Sequence, residues 1–127
     1  MTDGKKILVI EDDGAAAELM EMLLLSVGHQ VTVAHSVEDA LAGFADAGYH
    51  LVMTDLNMSG QGGARGIIEF RKLAPGIPVI VVSASYRTMT PKEAERVARE
   101  IGATAVLAKP FEFGDLTNLV ADVLGRP

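Results

Sequence analysis

The sequence has no cysteine and no tryptophan, and only four phenylalanines and two tyrosines in 127 residues. Without cysteine there is neither a disulfide framework nor a thiolate metal site. No apolar run approaches the length of a membrane span. The opening Met-Thr-Asp-Gly-Lys-Lys leads straight into a strand-like run and lacks the pattern of a signal peptide. A cytoplasmic location is therefore the default expectation. Acidic residues outnumber basic ones 17 to 11, a net charge of −6, which argues against direct nucleic-acid binding, since that needs a basic face. There is no Gly-Lys-Ser/Thr phosphate loop. His29, His35 and His50 show no ligand spacing and read as surface or strand residues.

What is present points to one soluble globular domain over residues 1–127, long enough for a real core, with no output domain expected. Ile7-Leu8-Val9-Ile10 and Val79-Ile80-Val81-Val82 are continuously apolar, as strands buried on both faces are. Shorter strands are expected at Gln30–Ala34, His50–Thr54 and Ala105–Leu107. Helical patterns run over Gly14–Val27, from Ser36 to about Ala47, over Ala64–Leu73, from Pro91 to about Ile101, and over Phe111–Leu124. Thr90-Pro91-Lys92-Glu93 carries the signals of a helix start: an N-cap, proline at the first position and a capping-box glutamate. Five strands alternating with five helices predict an α/β fold, a doubly wound parallel sheet in the flavodoxin-like order 2-1-3-4-5.

In a parallel sheet all strands point the same way, so the residues after each strand collect at one edge. There this sequence places Glu11, Asp12 and Asp13, then Asp55, then Ser83, then Lys109-Pro110. Asp13 reads as the N-cap of the first helix. The remaining carboxylates repel one another unless a proton or cation settles between them. With oxygen ligands only, the cation should be hard, and Mg²⁺ fits. A metal, a lysine and a hydroxyl around one exposed carboxylate are what a phosphoryl group needs, which makes Asp55 a candidate nucleophile.

Four stretches, in order and on matching elements, carry a family likeness: Ile7-Leu8-Val9-Ile10-Glu11-Asp12; Asp55-Leu56-Asn57-Met58 with Gly63; Ser83-Ala84; and Gly102-Ala103 with Ala108-Lys109-Pro110-Phe111. Nearly the whole chain resembles a response regulator receiver domain of the single-domain, chemotaxis-regulator type. The resemblance implies that Asp55 is the phosphoacceptor, with Asp12 a direct Mg²⁺ ligand, Glu11 acting through water and Asn57 lending its backbone carbonyl. It implies that Ser83 and Lys109 bind phosphoryl oxygens and that the bond to Pro110 is cis. The partners it implies are a histidine kinase or histidine phosphotransfer protein, a downstream protein effector reached through the helices flanking the fifth strand, and in some cases a second copy in a phosphorylation-dependent homodimer. No membrane partner is expected.

Two positions depart from the family pattern. Ser59 stands where proline is usual, four residues after the phosphoacceptor, in a loop rich in glycine. Val106 stands at the switch position, normally Tyr or Phe, so an aromatic rotation cannot occur there; loop movement with Tyr86 is the expected substitute. The alternative is a degenerate receiver that binds partners without phosphorylation. A Mg²⁺-dependent phosphohydrolase would want a second acid two residues after Asp55, and Asn57 cannot supply it. The chain is thus expected to be a phosphoacceptor and not a turnover enzyme.

Overall fold

The computed structural model describes residues 4–55, 63–84 and 90–125. The elements are β1 (Lys6–Ile10), α1 (Gly14–Ser26), β2 (Gln30–Ala34), α2 (Val37–Leu41), α3 (Phe44–Ala47), β3 (Leu51–Asp55), α4 (Gly63–Leu73), β4 (Val79–Ser83), α5 (Pro91–Ile101), β5 (Ala105–Ala108) and α6 (Phe113–Leu124). The sheet is parallel throughout in the order β2-β1-β3-β4-β5, as the alternation of elements predicts.

The uninterrupted apolar strands follow from burial on both sides. Successive residues of a strand point to opposite faces. Leu8, Ile10, Val52, Val79 and Val81 face one cluster with Phe44, Ile67 and Phe70. Ile7, Val9, Leu51, Met53, Ile80 and Val82 face the other with Met20, Leu24, Leu116 and Val120. α1 and α6 therefore cover one face, and α2, α3 and α4 cover the other.

The helix count differs from the expected five: six helices lie among the described residues. The segment from Ser36 to Ala47 is divided. Ala42 leaves helical geometry with ψ 118°, and Gly43 takes φ 73°, a left-handed conformation that glycine adopts without a Cβ penalty. Beyond the break Phe44 is buried, its ring 4.8 Å from Phe70 and 5.7 Å from Tyr49. The last helix starts at Phe113 and not Phe111: Glu112 is its N-cap, and the Glu112 amide donates to the Asp115 carboxylate at 3.0 Å.

Other helix starts follow their sequence signals. The Asp13 carboxylate accepts from the Ala15 and Ala16 amides at 3.0 and 3.4 Å. Thr90 and Glu93 exchange side-chain-to-backbone bonds at 3.2 and 3.1 Å. Thr90→Ala removes one half of that box and is expected to cost about 1 kcal/mol, read by urea denaturation.

Two histidines that read as surface or strand residues tie down the start of β1. The Lys5 amide donates to Nδ1 of His29 at 3.2 Å, and the Lys6 amide to Nδ1 of His50 at 3.0 Å. Burial lowers the His29 pKa below its ordinary value, in accord with a ring that must be neutral at Nδ1 to accept. A depressed folded-state pKa means that the unfolded chain binds the proton first. The stability His29 contributes is therefore complete above the ordinary histidine range and is lost as pH falls toward its lower folded value. Thermal melts at about pH 7.5 and 5.5 are expected to show a larger acid-side loss for the parent chain than for His29→Gln.

Candidate functional site

Because the strands are parallel, four of them deliver their C-terminal ends to one edge. β1 is followed by Glu11 and Asp12, β3 ends on Asp55, β4 ends on Ser83, and β5 is followed by Lys109. Register fixes their adjacency: Asp55 pairs with Val82, and Ser83 with Ala108. The Lys109 amide donates to the Ser83 carbonyl at 3.1 Å, extending the ladder by one residue. The Lys109–Pro110 peptide is cis.

Lys109 joins the two inner carboxylates. Its ammonium donates to Oδ2 of Asp55 at 2.8 Å and to Oε1 of Glu11. Glu11 is buried, 1% exposed, and Ser83 is fully buried. Carboxylate oxygens of Glu11, Asp12 and Asp55 lie within 4.8 Å of one another. Asp13, by contrast, is turned into the N-cap of α1, so Asp12 is left at the edge.

The electrostatics follow from this crowding. Burial raises the Glu11 pKa, the Lys109 bond opposes that, and the neighbouring Asp55 adds to it; the net direction is upward. For Lys109, burial pulls the pKa down, but the bonds and charges of Asp55 and Glu11 outweigh it and the net is upward. Among the described residues one ammonium faces three carboxyl groups. The donor set is all oxygen and partly solvent-open, which suits a hard divalent cation.

Asn57, Ser59 and Tyr86 lie outside the described residues. Val106 does not join the edge. It pairs with Val81 within the sheet and lines a cleft of about 450 Å³ with Pro91, Ala94, Ala98 and Leu119. Two features escaped the sequence. Nδ1 of His35 lies 3.1 Å from the Glu11 carbonyl oxygen, bracing the residue that bonds Lys109. An apolar cleft of about 290 Å³ beside the site is formed by Ala16, Leu19, Ala84, Lys109, Pro110 and Phe111. The β2–α2 turn that carries His35 leaves no periodic signal, and the cleft is assembled from α1 and the segments after β4 and β5, which sequence spacing does not connect.

The family described as response regulator receiver domain matches residues 7–121. The chain belongs to that family. Response regulator protein FleR of Pseudomonas aeruginosa is 36% identical over 116 residues, 91% of this chain. Transcriptional regulatory protein ZraR of Salmonella typhimurium is 31% identical over 120 residues, 94% of this chain. The receiver domain spans only 24% of FleR and 26% of ZraR. A putative response regulator from Chloroflexus aurantiacus superposes with a TM-score of 0.85 at 27% identity, covering 98% of this chain and all of that one, 100%. Receiver domains are signalling domains of two-component systems and not turnover enzymes. They generally hold Mg²⁺ in an acidic pocket, and here Glu11, Asp12 and Asp55 form such a cluster.

Proposed function

We propose that Asp55 is the phosphoacceptor of this receiver domain, taking a phosphoryl group from a histidine kinase or histidine phosphotransfer protein. The observation that carries this reading is the placement of Lys109, bonded to Asp55 and Glu11 at an edge that also holds Asp12. A carboxylate oxygen of Asp55 attacks the phosphorus of a phosphohistidine. The P–N bond breaks, and its electron pair leaves with the imidazole, which takes up a proton. Lys109, already within bonding distance of Asp55, is placed to donate to the phosphoryl oxygens as they gain charge. The Ser83 hydroxyl, at the end of the adjacent strand, takes a second such oxygen. Asp12, Asp55 and the Asn57 carbonyl would hold Mg²⁺ directly and Glu11 through water. The ion would supply charge neutralisation between the carboxylate and the incoming phosphoryl group.

Phosphorylation adds roughly −1.5 to −2 charges at the sheet edge. That charge biases a two-state equilibrium of the surrounding loops and helices toward a partner-binding form. The output is a protein effector or a second copy of the chain, in the cytoplasm, without direct contact to nucleic acid.

The test is the chemistry of the adduct. After phosphorylation by acetyl phosphate with Mg²⁺, neutral hydroxylamine should remove the phosphoryl group completely, because an acyl phosphate is cleaved and a serine phosphate is not. A hydroxylamine-resistant adduct would move the acceptor to a hydroxyl group and end this reading.

A further inference from the structure

At the opposite edge of the sheet from Asp55 is a cavity of about 430 Å³, whose lining includes Lys5, Val27, His29, Asn118, Ala121 and Leu124. The five residues of β1 separate Lys5 from Glu11, so the two places lie about 20 Å apart. The size falls within the range of small-molecule sites, about 300–1,000 Å³. Its walls are apolar at Val27, Ala121 and Leu124. Its polar groups come from three places: the lysine precedes β1, the histidine follows α1, and the asparagine is on α6 with Ala121 and Leu124.

The polar groups are brought together by a close backbone approach. A Cβ at Gly4 would clash with the Gly28 carbonyl oxygen, and Gly28 itself takes φ +95°. Only glycine at both places lets the segment before β1 lie against the α1–β2 turn. That approach sets the Lys5 amide against Nδ1 of His29 at 3.2 Å and the Gln30 amide against the Lys5 carbonyl at 2.9 Å. With Nδ1 accepting, the ring proton of neutral His29 is on Nε2, a fixed donor. The lowered pKa of His29 keeps it in that form at neutral pH. Among the described residues, the Lys5 ammonium makes no ion pair and the Asn118 amide has no hydrogen-bond partner. Donors and one cation thus stand beside an apolar wall, and among the described residues no carboxylate lines the cavity.

We propose that this cavity binds a small amphiphilic carboxylate. Its head is held by Lys5, with His29 and Asn118 as donors, and its short hydrocarbon tail lies on Val27, Ala121 and Leu124. This site is independent of the phosphoacceptor chemistry.

The test is a titration of the whole chain followed by ¹H–¹⁵N correlation spectra, with sodium hexanoate as the probe, acetate as the head alone and 1-hexanol as the tail alone. Hexanoate should shift the amides of Lys5, His29, Asn118 and Ala121 saturably with a Kd on the order of 1 mM, about −4 kcal/mol. Acetate and hexanol should each bind at least about tenfold more weakly, since each makes only part of the contact. Lys5→Met, which keeps the stem and removes the charge, should weaken hexanoate about fivefold or more. Ala121→Met, at an exposed position that fills the wall, should do the same without touching the charge. Both variants should still form the Mg²⁺-dependent adduct at Asp55. No saturable shifts up to about 20 mM hexanoate, equal binding of hexanol, or binding unchanged in both variants would each overturn the proposal.

Discussion

Lys109→Met is expected to slow phosphorylation by acetyl phosphate about 10²–10³-fold, the cost of losing one charged donor to an oxyanion. The same change should tighten Mg²⁺ binding about tenfold or more, because one of the charges repelling the cation is gone. The two effects have opposite signs, and that sign difference is what makes the variant informative. Lys109 is the one cation bonded within the acidic edge among the described residues, where it faces Glu11, Asp12 and Asp55. If its role were structural, removing it would impair metal binding and phosphorylation together. Adduct formation followed by intact mass gives the rate, and titration calorimetry gives the metal affinity. Calorimetry is preferred because the chain has no tryptophan to report binding by fluorescence. Equal loss of both properties would contradict the assigned role.

Phe70→Ala is expected to be the most destabilising single change outside the site, at about 3–5 kcal/mol. The side chain is fully buried, 0% exposed, and its ring packs 4.8 Å from Phe44 on the face covered by α2, α3 and α4. A domain of this size has a total stability of about 5–15 kcal/mol, so the midpoint of thermal unfolding should fall by roughly 10–20 °C. Phe70→Leu, which keeps most of the volume, should cost less than about 1.5 kcal/mol. Far-UV circular dichroism melts of the two variants check this. A small loss for the alanine variant would mean that the α3–α4 contact collapses to fill the gap.

Most of the architecture was legible because burial on both faces writes itself plainly into sequence. Ile7–Ile10 and Val79–Val82 could only be central strands, and their alternation with helices left the parallel doubly wound sheet as the natural solution. The division at Gly43 was not legible. Val37, Ala40, Leu41 and Phe44 fit one helical stripe, and a lone glycine inside a helix costs only about 1 kcal/mol. Burial of Phe44 against Phe70 and Tyr49 accompanies the break, a tertiary contact that local periodicity cannot carry.

The acidic edge was legible through topology and not through spacing. Glu11 and Lys109 are 98 positions apart, and only the rule that parallel strands share a C-terminal edge brings them together. That rule names who is present but not who bonds whom. The pairing of Lys109 with both Glu11 and Asp55, and the contact of His35 with the Glu11 carbonyl, depend on side-chain geometry that the sequence leaves open. The same holds for His29 and His50, whose roles appear only once the start of β1 is set between two turns.

The central claim is that Asp55 accepts a phosphoryl group with the help of a divalent cation. Its most direct test is intact-mass spectrometry of the chain after incubation with acetyl phosphate, with Mg²⁺ and with a chelator, beside Asp55→Asn. One phosphoryl adduct that forms only with Mg²⁺ and is absent from the variant is the predicted result. An adduct of equal yield in Asp55→Asn, or none in the parent chain with either acetyl phosphate or a phosphorylated histidine kinase as donor, would contradict it.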